Sequence, residues 1–164
     1  MRLCGDPILR EMCAPVEDID GELQRVLYEM VKIMEDQKGV GLAAPQVGIL
    51  KRFIVIRNPE TGELFKLINP KITSKSEGKI ILEEGCLSVL GPDDLPVFAD
   101  VARPSAVTVE WTDENKKPHT AEFSGNMARI VQHETDHLDG ILFIDYLSSV
   151  KREMVMRKVK KRKG

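Results

Sequence analysis

The chain is organised around the segment Gln132-His133-Glu134-Thr135-Asp136-His137-Leu138-Asp139-Gly140, which contains the pattern HExxH. Residues four apart lie on the same face of an α-helix, within roughly 40° of each other. The imidazoles of His133 and His137 can therefore bind one metal ion. Glu134, one residue after His133, points in a different direction from the two imidazoles. It is better placed to contact a water molecule of the site than the ion itself. The segment predicts a metal-binding helix at the centre of the fold.

Two ligands do not complete a catalytic zinc or iron site, which usually has three protein ligands and an open position for water. Glu153 is one candidate, because a downstream glutamate completes many zinc peptidase sites, but it stands alone among cationic residues. Cys86 is preferred, since its thiolate is a strong ligand for zinc or iron(II) and Gly85 permits close backbone approach. A lone cysteine is more often a small buried apolar residue, so both candidates stay open on this argument.

Length and composition describe an ordinary globular chain. The 164 residues are 42% apolar and 30% charged, enough for one catalytic domain, which we place at residues 1–147. The first residues lack the apolar core of a secretory signal, and no run approaches the ~20 apolar residues of a membrane span, so we expect a cytoplasmic protein. Three irregularly spaced cysteines do not suggest a disulfide framework.

The formal net charge of -2 conceals a basic segment at residues 148–164, which carries eight basic side chains and one acidic one. Val150, Met154 and Val159 give this segment a weak apolar stripe, so we predict a basic helical tail. A solvated terminal helix is the commoner explanation of such a run. Electrostatic contact with a polyanion such as RNA is the alternative.

Helical patterns occur near both ends of the chain. Asp20 is the expected N-cap of a helix whose apolar residues recur between positions 23 and 34, and Gly39 is expected to adopt the left-handed conformation at its end. Ser124 or Asn126 is expected to cap the metal-binding helix, which Gly140 closes. These assignments place one helix before the strand-forming part of the chain and the metal-binding helix after it.

The remaining segments predict short strands. Two hairpins are expected, one from residues 53–57 and 64–68, the other from 107–111 and 118–123. A further strand is expected at 79–82, followed by an irregular loop over 89–103, where prolines and a glycine recur. His119 is expected to be a surface histidine. The fold class is therefore α+β, with mostly antiparallel short strands and hairpins around a central metal-binding helix.

Three segments together resemble the signature motifs of the bacterial peptide deformylases: Gly39–Gln46 (GVGLAAPQ), Glu84–Ser88 (EGCLS) and Gln132–Gly140. HExxH alone occurs often by chance, whereas three blocks in this order and spacing are a specific signal. The resemblance extends over nearly the whole chain. One departure follows Ser88, where the family usually has an early proline and a loop several residues shorter.

The resemblance implies a hydrolase that removes the formyl group from N-formylmethionine at the start of nascent polypeptides and releases formate. It implies one divalent metal ion held by Cys86, His133 and His137. It further implies that iron(II) is the physiological ion and that zinc, nickel or cobalt can substitute for it. It also implies that the basic tail docks on the ribosome near the exit tunnel.

The same resemblance assigns roles in catalysis and substrate binding. Glu134 is implied as the proton carrier, while the Gln46 side chain and the backbone N–H of Leu87 are implied as donors to the oxygen that gains negative charge. Extended peptide is implied to lie along Gly41, which has no side chain in the way. Val40 and Ile130 are expected to form the methionine pocket, although core packing is an equal alternative, and Glu84 is expected to pair with Arg103.

Two other classes of function remain as alternatives. A zinc endopeptidase would use Glu153 as the third ligand. A non-catalytic RNA-binding protein would hold a structural metal, but such sites usually have four protein ligands, and no fourth stands at suitable spacing.

Overall fold

The structure is a computed structural model that describes residues 1–162, so the last two residues of the predicted basic tail lie outside the described part. The helices of that part are α1 (Gly21–Asp36), α2 (Gly125–Leu138) and α3 (Ser149–Lys161). The strands are β1 (Gly41–Ala43), β2 (Phe53–Arg57), β3 (Leu64–Lys75), β4 (Lys79–Glu84), β5 (Ala99–Pro104), β6 (Ala106–Thr112) and β7 (Pro118–Ser124).

The strands form two antiparallel sheets. A five-stranded sheet has the order β1-β2-β3-β6-β7, and β4 pairs with β5 in a second, two-stranded sheet. Both predicted hairpins are confirmed, with Phe53 opposite Ile68 in one and Val109 opposite Ala121 in the other. The α+β class is confirmed. None of the helices in residues 1–162 is long and apolar enough to cross a membrane.

Helix α2 lies at the centre of this arrangement and contacts strands of both sheets. Its residues from Ala128 to Thr135 are all buried, as are His137 and Leu138. The apolar side chains on α2 pack against the five-stranded sheet in one core cluster: Ile54, Ile56, Leu67, Val107, Val109, Ala128, Ile130, Val131 and Leu138. Burial on every side makes this helix a rigid platform for the polar side chains that it carries.

The ends of the helices follow the predictions in part. The Asp20 side chain accepts a hydrogen bond from the Leu23 N–H at 2.9 Å, as an N-cap should, and Gly140 after α2 has a positive φ of 71°. The prediction for Gly39 is wrong, because Lys38 takes the left-handed conformation with φ 53°. Gly39 instead allows close packing, since a Cβ atom there would lie 2.8 Å from Cδ1 of Leu87.

The prediction of an irregular loop over 89–103 is wrong for its last five residues, 99–103, which belong to β5. Val101 and Arg103 face inward on this strand while Asp100 and Ala102 face solvent. The buried position of an arginine hides the usual alternation of apolar and polar residues. The part of the loop before β5 folds back on itself through a hydrogen bond from Val97 N–H to the carbonyl of Val89 at 2.9 Å.

Helix α3 packs on the body through a stripe that shares only Val159 with the predicted one. Val155 and Val159 are buried, whereas the predicted Val150 and Met154 are exposed. The two valines join a second core cluster with Leu9, Val97 and other residues near the cleft. The division into a catalytic domain at 1–147 and a basic tail at 148–164 stays a prediction.

Candidate active site

The structure brings Cys86, His133 and His137 together at the centre of the molecule. One ligand atom from each lies within 4.8 Å of the others, and all three side chains are buried. The Cys86 Sγ atom is 3.4 Å from His137 Nε2. Tetrahedral zinc with usual Zn–S and Zn–N bond lengths separates two such atoms by about 3.6 Å. The donor set and its spacing fit one divalent ion.

The two histidines differ in what faces their second ring nitrogen. His133 Nδ1 lies 2.9 Å from Glu84 Oε2, which orients the ring. Burial alone would lower the pKa of His133, but hydrogen bonds with Cys86 and Glu84 raise it. His137 Nδ1 is buried with no hydrogen-bond partner in the described residues, and burial lowers the pKa of His137, which favours the neutral form that binds metal.

A buried ionic network supports the site from behind. Glu84 bonds Arg103 as expected, and it also accepts a hydrogen bond of 2.6 Å from Arg129. Arg103 in turn donates to Asp136 at 2.8 Å. Burial by itself would raise the pKa of Glu84, but hydrogen bonds from His133 and Arg103 lower it to about 2. Glu84 is therefore ionised, as a carboxylate that faces two guanidinium groups should be.

Glu134 lies beside this cluster, against the backbone of β1. Its Oε2 atom is buried and has no hydrogen-bond partner in residues 1–162. Burial raises the pKa of Glu134 to about 7. Gly41 makes this position possible, because a Cβ atom there would lie only 2.7 Å from Cγ of Glu134.

The amide of Gln46 is fixed between β1 and the Cys86 segment. Its Oε1 accepts from the Ala43 N–H at 2.8 Å, while its Nε2 donates to Ser88 Oγ at 3.0 Å and lies 3.6 Å from Cys86 Sγ. The side-chain nitrogen is therefore directed at the cluster. Leu87 lines the cleft next to it.

Two adjoining cavities open onto the cluster. The first is lined by Val40, Gly41, Gln46, Cys86, Leu87, Phe98, Glu134 and their neighbours. The second is lined by Val40, Phe98, Arg129, Ile130, His133, Glu134 and their neighbours. All the predicted substrate and catalytic residues thus border one cleft, although Ile130 also belongs to the core.

One glutamate and one histidine that the sequence analysis considered lie away from this cluster. Glu153 is exposed on α3 and bonds Arg157 at 2.6 Å, so the third-ligand alternative based on Glu153 is wrong. In the described residues it is Cys86, not Glu153, that lies beside the two histidines. His119 is bonded to Asp113 at 2.7 Å and stacks on Trp111, in the β6–β7 hairpin.

Sequence reasoning missed Arg129 and Phe98. Arg129 lies one turn before His133 on α2, so the same four-residue spacing that relates the histidines could have marked it as facing the site. Phe98 stands in the segment where the chain departs from the motif pattern, and no periodic signal pointed to it.

The family model and the sequence relatives that match this chain are all peptide deformylases. A family model described as "Polypeptide deformylase" matches residues 1–153. The chain is 45% identical to the peptide deformylase of Rhizobium meliloti over 159 residues, covering 95% of this chain and 88% of the relative. It is 44% identical to that of Thermodesulfovibrio yellowstonii, covering 96% of this chain and 94% of the relative.

Solved structures agree with the sequence relatives. A crystal structure of a peptide deformylase from Legionella pneumophila superposes with a TM-score of 0.91 at 40% identity and covers 99% of this chain and 94% of its own. One from Synechococcus elongatus, in complex with actinonin, superposes with a TM-score of 0.89 at 38% identity and covers 99% of this chain and 86% of its own.

Proposed function

This chain belongs to the polypeptide deformylase family, and from that premise we propose how its own residues remove the formyl group from the N-terminus of a nascent peptide. The reaction is hydrolysis of a linear amide, which releases formate and leaves a free amino group. The observation that carries the proposal is the cluster of Cys86, His133 and His137 beside a buried oxygen of Glu134 that has no hydrogen-bond partner within residues 1–162.

Cys86, His133 and His137 are proposed to hold one divalent metal ion. A thiolate and two imidazoles suit zinc, iron(II), cobalt and nickel. Iron(II) is proposed as the physiological ion, with the other three as substitutes, although zinc should bind more tightly than iron at such a site. When bound, the ion supplies Lewis-acid chemistry that lowers the pKa of water.

Glu134 is proposed as the proton carrier of the reaction. Glu134 lines the cleft, and its buried Oε2 has no hydrogen-bond partner in the part of the chain that the structure describes, so the carboxylate is free to accept a proton from the attacking water. It then passes that proton to the nitrogen of the leaving amine. Transfers of this kind commonly contribute on the order of 10²- to 10⁴-fold to the rate.

Gln46 and the backbone N–H of Leu87 are proposed to donate hydrogen bonds to the formyl oxygen as it gains negative charge. The Ala43 N–H holds the Gln46 oxygen and so turns its NH₂ group towards the cluster. Removing one donor of this kind typically costs about 3 to 4 kcal/mol of transition-state stabilisation.

The substrate backbone is proposed to pair with Gly41. Strand β1 is at the edge of the five-stranded sheet, so one side of it is open to an added strand in the described structure. Val40 and Ile130 line the second cavity, which we assign to the side chain of the formylated methionine.

The site of action is proposed to be the ribosome near the peptide exit, in the cytoplasm, where formylated chains are made. Helix α3 presents Lys151, Arg152, Arg157, Lys158, Lys160 and Lys161, all of which are exposed. Such a density of cations attracts phosphates. In this proposal residues 1–147 supply the catalytic groups and residues 148–164 supply the contact.

The experiment is an assay of formate release from formyl-Met-Ala by metal-reconstituted protein, in parallel with Glu134→Gln. We expect release by the wild type and a loss of at least 100-fold in kcat for the variant, with unchanged metal content. Equal rates would overturn the role of Glu134. Absence of formate from the wild type would overturn the function.

A further inference from the structure

The ring of Phe98 is a large apolar surface that is not buried in the core. It is 57% exposed and immediately precedes β5. The ring packs over the backbone of Gly85, where a Cβ atom would lie 2.8 Å from Cδ1 of the ring. Because Gly85 is followed by Cys86, this packing places an aromatic ring next to the metal-binding cysteine segment.

Phe98 lines both cavities of the cleft. The first cavity contains Gln46 and Cys86, the groups assigned to the formyl oxygen and the metal, and the second has Ile130 in its wall. Val40 and Glu134 also border both cavities. Phe98 therefore lies where the reacting amide and the side chain of the first residue meet.

The segment that carries Phe98 is closed by two internal hydrogen bonds and is tied to α3 by one ion pair. Gly91 N–H donates to the Leu95 carbonyl at 2.8 Å, and Val97 N–H donates to the Val89 carbonyl at 2.9 Å. At the tip, Asp94 forms an ion pair of 2.5 Å with Arg162 at the end of α3. A ring on such a segment can serve as a fixed wall for a ligand rather than a mobile surface group.

We propose that Phe98 determines the specificity of the side-chain pocket by contacting the thioether of the substrate methionine. The inference rests on the proposed function. It states which substrate side chain the second cavity prefers. Sulfur lies favourably about 5 Å from an aromatic ring, and a methylene group in the same place lacks this interaction. The ring thus favours methionine over norleucine, which has the same shape but no sulfur.

The test compares formyl-Met-Ala with formyl-norleucine-Ala as substrates of the wild type, Phe98→Leu and Phe98→Ala. The wild type should prefer methionine by about 2- to 10-fold in kcat/KM, the range that a sulfur–aromatic contact supplies. Phe98→Leu should reduce this ratio to about 1. Phe98→Ala should raise KM for both peptides by roughly 10-fold, with kcat within 2-fold, because an apolar wall is removed and the chemistry is untouched.

Leu95→Ala is the matched control, since Leu95 is exposed in the same segment and lines neither cavity. Its ratio and KM should equal those of the wild type, and all variants should bind one ion per chain. A methionine preference that survives in Phe98→Leu, or an unchanged KM in Phe98→Ala, overturns the inference while the function stands. Wild-type protein that releases formate from neither peptide overturns the function and the inference together.

Discussion

The Nδ1 atom of His133 lies 2.9 Å from Oε2 of Glu84, in the interior of the protein. The contact fixes one metal-facing ring through a carboxylate that is itself held by Arg103 and Arg129. Partners of this kind set the tautomer and orientation of a ligand and raise its basicity. The strength of the metal site should therefore depend on residues that do not touch the ion.

Glu84→Gln keeps the size of the side chain but removes its charge. We expect metal affinity to fall by roughly 10- to 100-fold, as is typical when such a partner is lost. Competition with a chelator measures the affinity, and Glu77→Gln, at an exposed position, is the control. The idea fails if Glu84→Gln and Glu77→Gln retain the ion equally well.

Stability at acid pH should depend on the same carboxylate. The folded-state pKa of Glu84 is about 2, below its usual 4.5. Its stabilising contribution is therefore complete above pH 4.5 and is lost as the pH falls towards 2. Urea unfolding of metal-free wild type and Glu84→Gln should show a difference in unfolding free energy that shrinks between pH 5 and pH 2. A difference that stays constant over this range contradicts the assignment.

Gly41→Ala should displace the proton carrier without removing a metal ligand. The added Cβ atom would lie 2.7 Å from Cγ of Glu134, which must move. Displacements of about 1 Å at a reacting group can cost on the order of 100-fold, so we expect kcat to fall by roughly 10- to 100-fold at normal metal content. Gly21→Ala is the control, because no atom of the described residues outside its own neighbourhood lies within 4 Å of a Cβ atom there. Normal kcat in Gly41→Ala would show that Glu134 is not held by this contact.

Removal of the metal should expose one of the three cysteines to alkylation. Cys4 and Cys13 are buried, and burial raises the pKa of both thiols, that of Cys13 to about 11. Cys86 is also buried, but it lines the cleft, where a small reagent can reach its sulfur once the ion is removed. At pH 8 we expect iodoacetamide to modify metal-free protein first at Cys86 and metal-loaded protein hardly at all. Peptide mass mapping identifies the site, and Cys86→Ser should remove the fast phase. Prior labelling of Cys13 contradicts the prediction.

Periodicity accounts for the parts of the fold that the sequence could predict. The histidine pair and the strands of both hairpins follow from spacings of 3.6 or 2 residues, and the N-cap at Asp20 follows from the preference of short acidic side chains for helix starts; all of these are local properties. Strand β5 was missed because Arg103 occupies an inward position, and its partners Glu84 and Asp136 are distant in sequence. Burial of a paired charge is a tertiary effect that a local pattern does not report.

Local spacing predicted less of the site than of the fold. The spacing of His133 and His137 indicates a metal, but the choice of Cys86 over Glu153 needed the resemblance to a family as well as ligand chemistry. Phe98 lies where this chain departs from the family pattern, so neither source of information marked it. Its position follows from the fold of the 89–98 segment, which the sequence did not predict.

The most direct test of the account measures metal content and affinity in Cys86→Ser and Glu153→Gln side by side. We expect one ion per chain and unchanged affinity in Glu153→Gln, because that residue is exposed and bonded to Arg157, and a large loss of affinity in Cys86→Ser. Loss of the ion from Glu153→Gln with full retention in Cys86→Ser would contradict it.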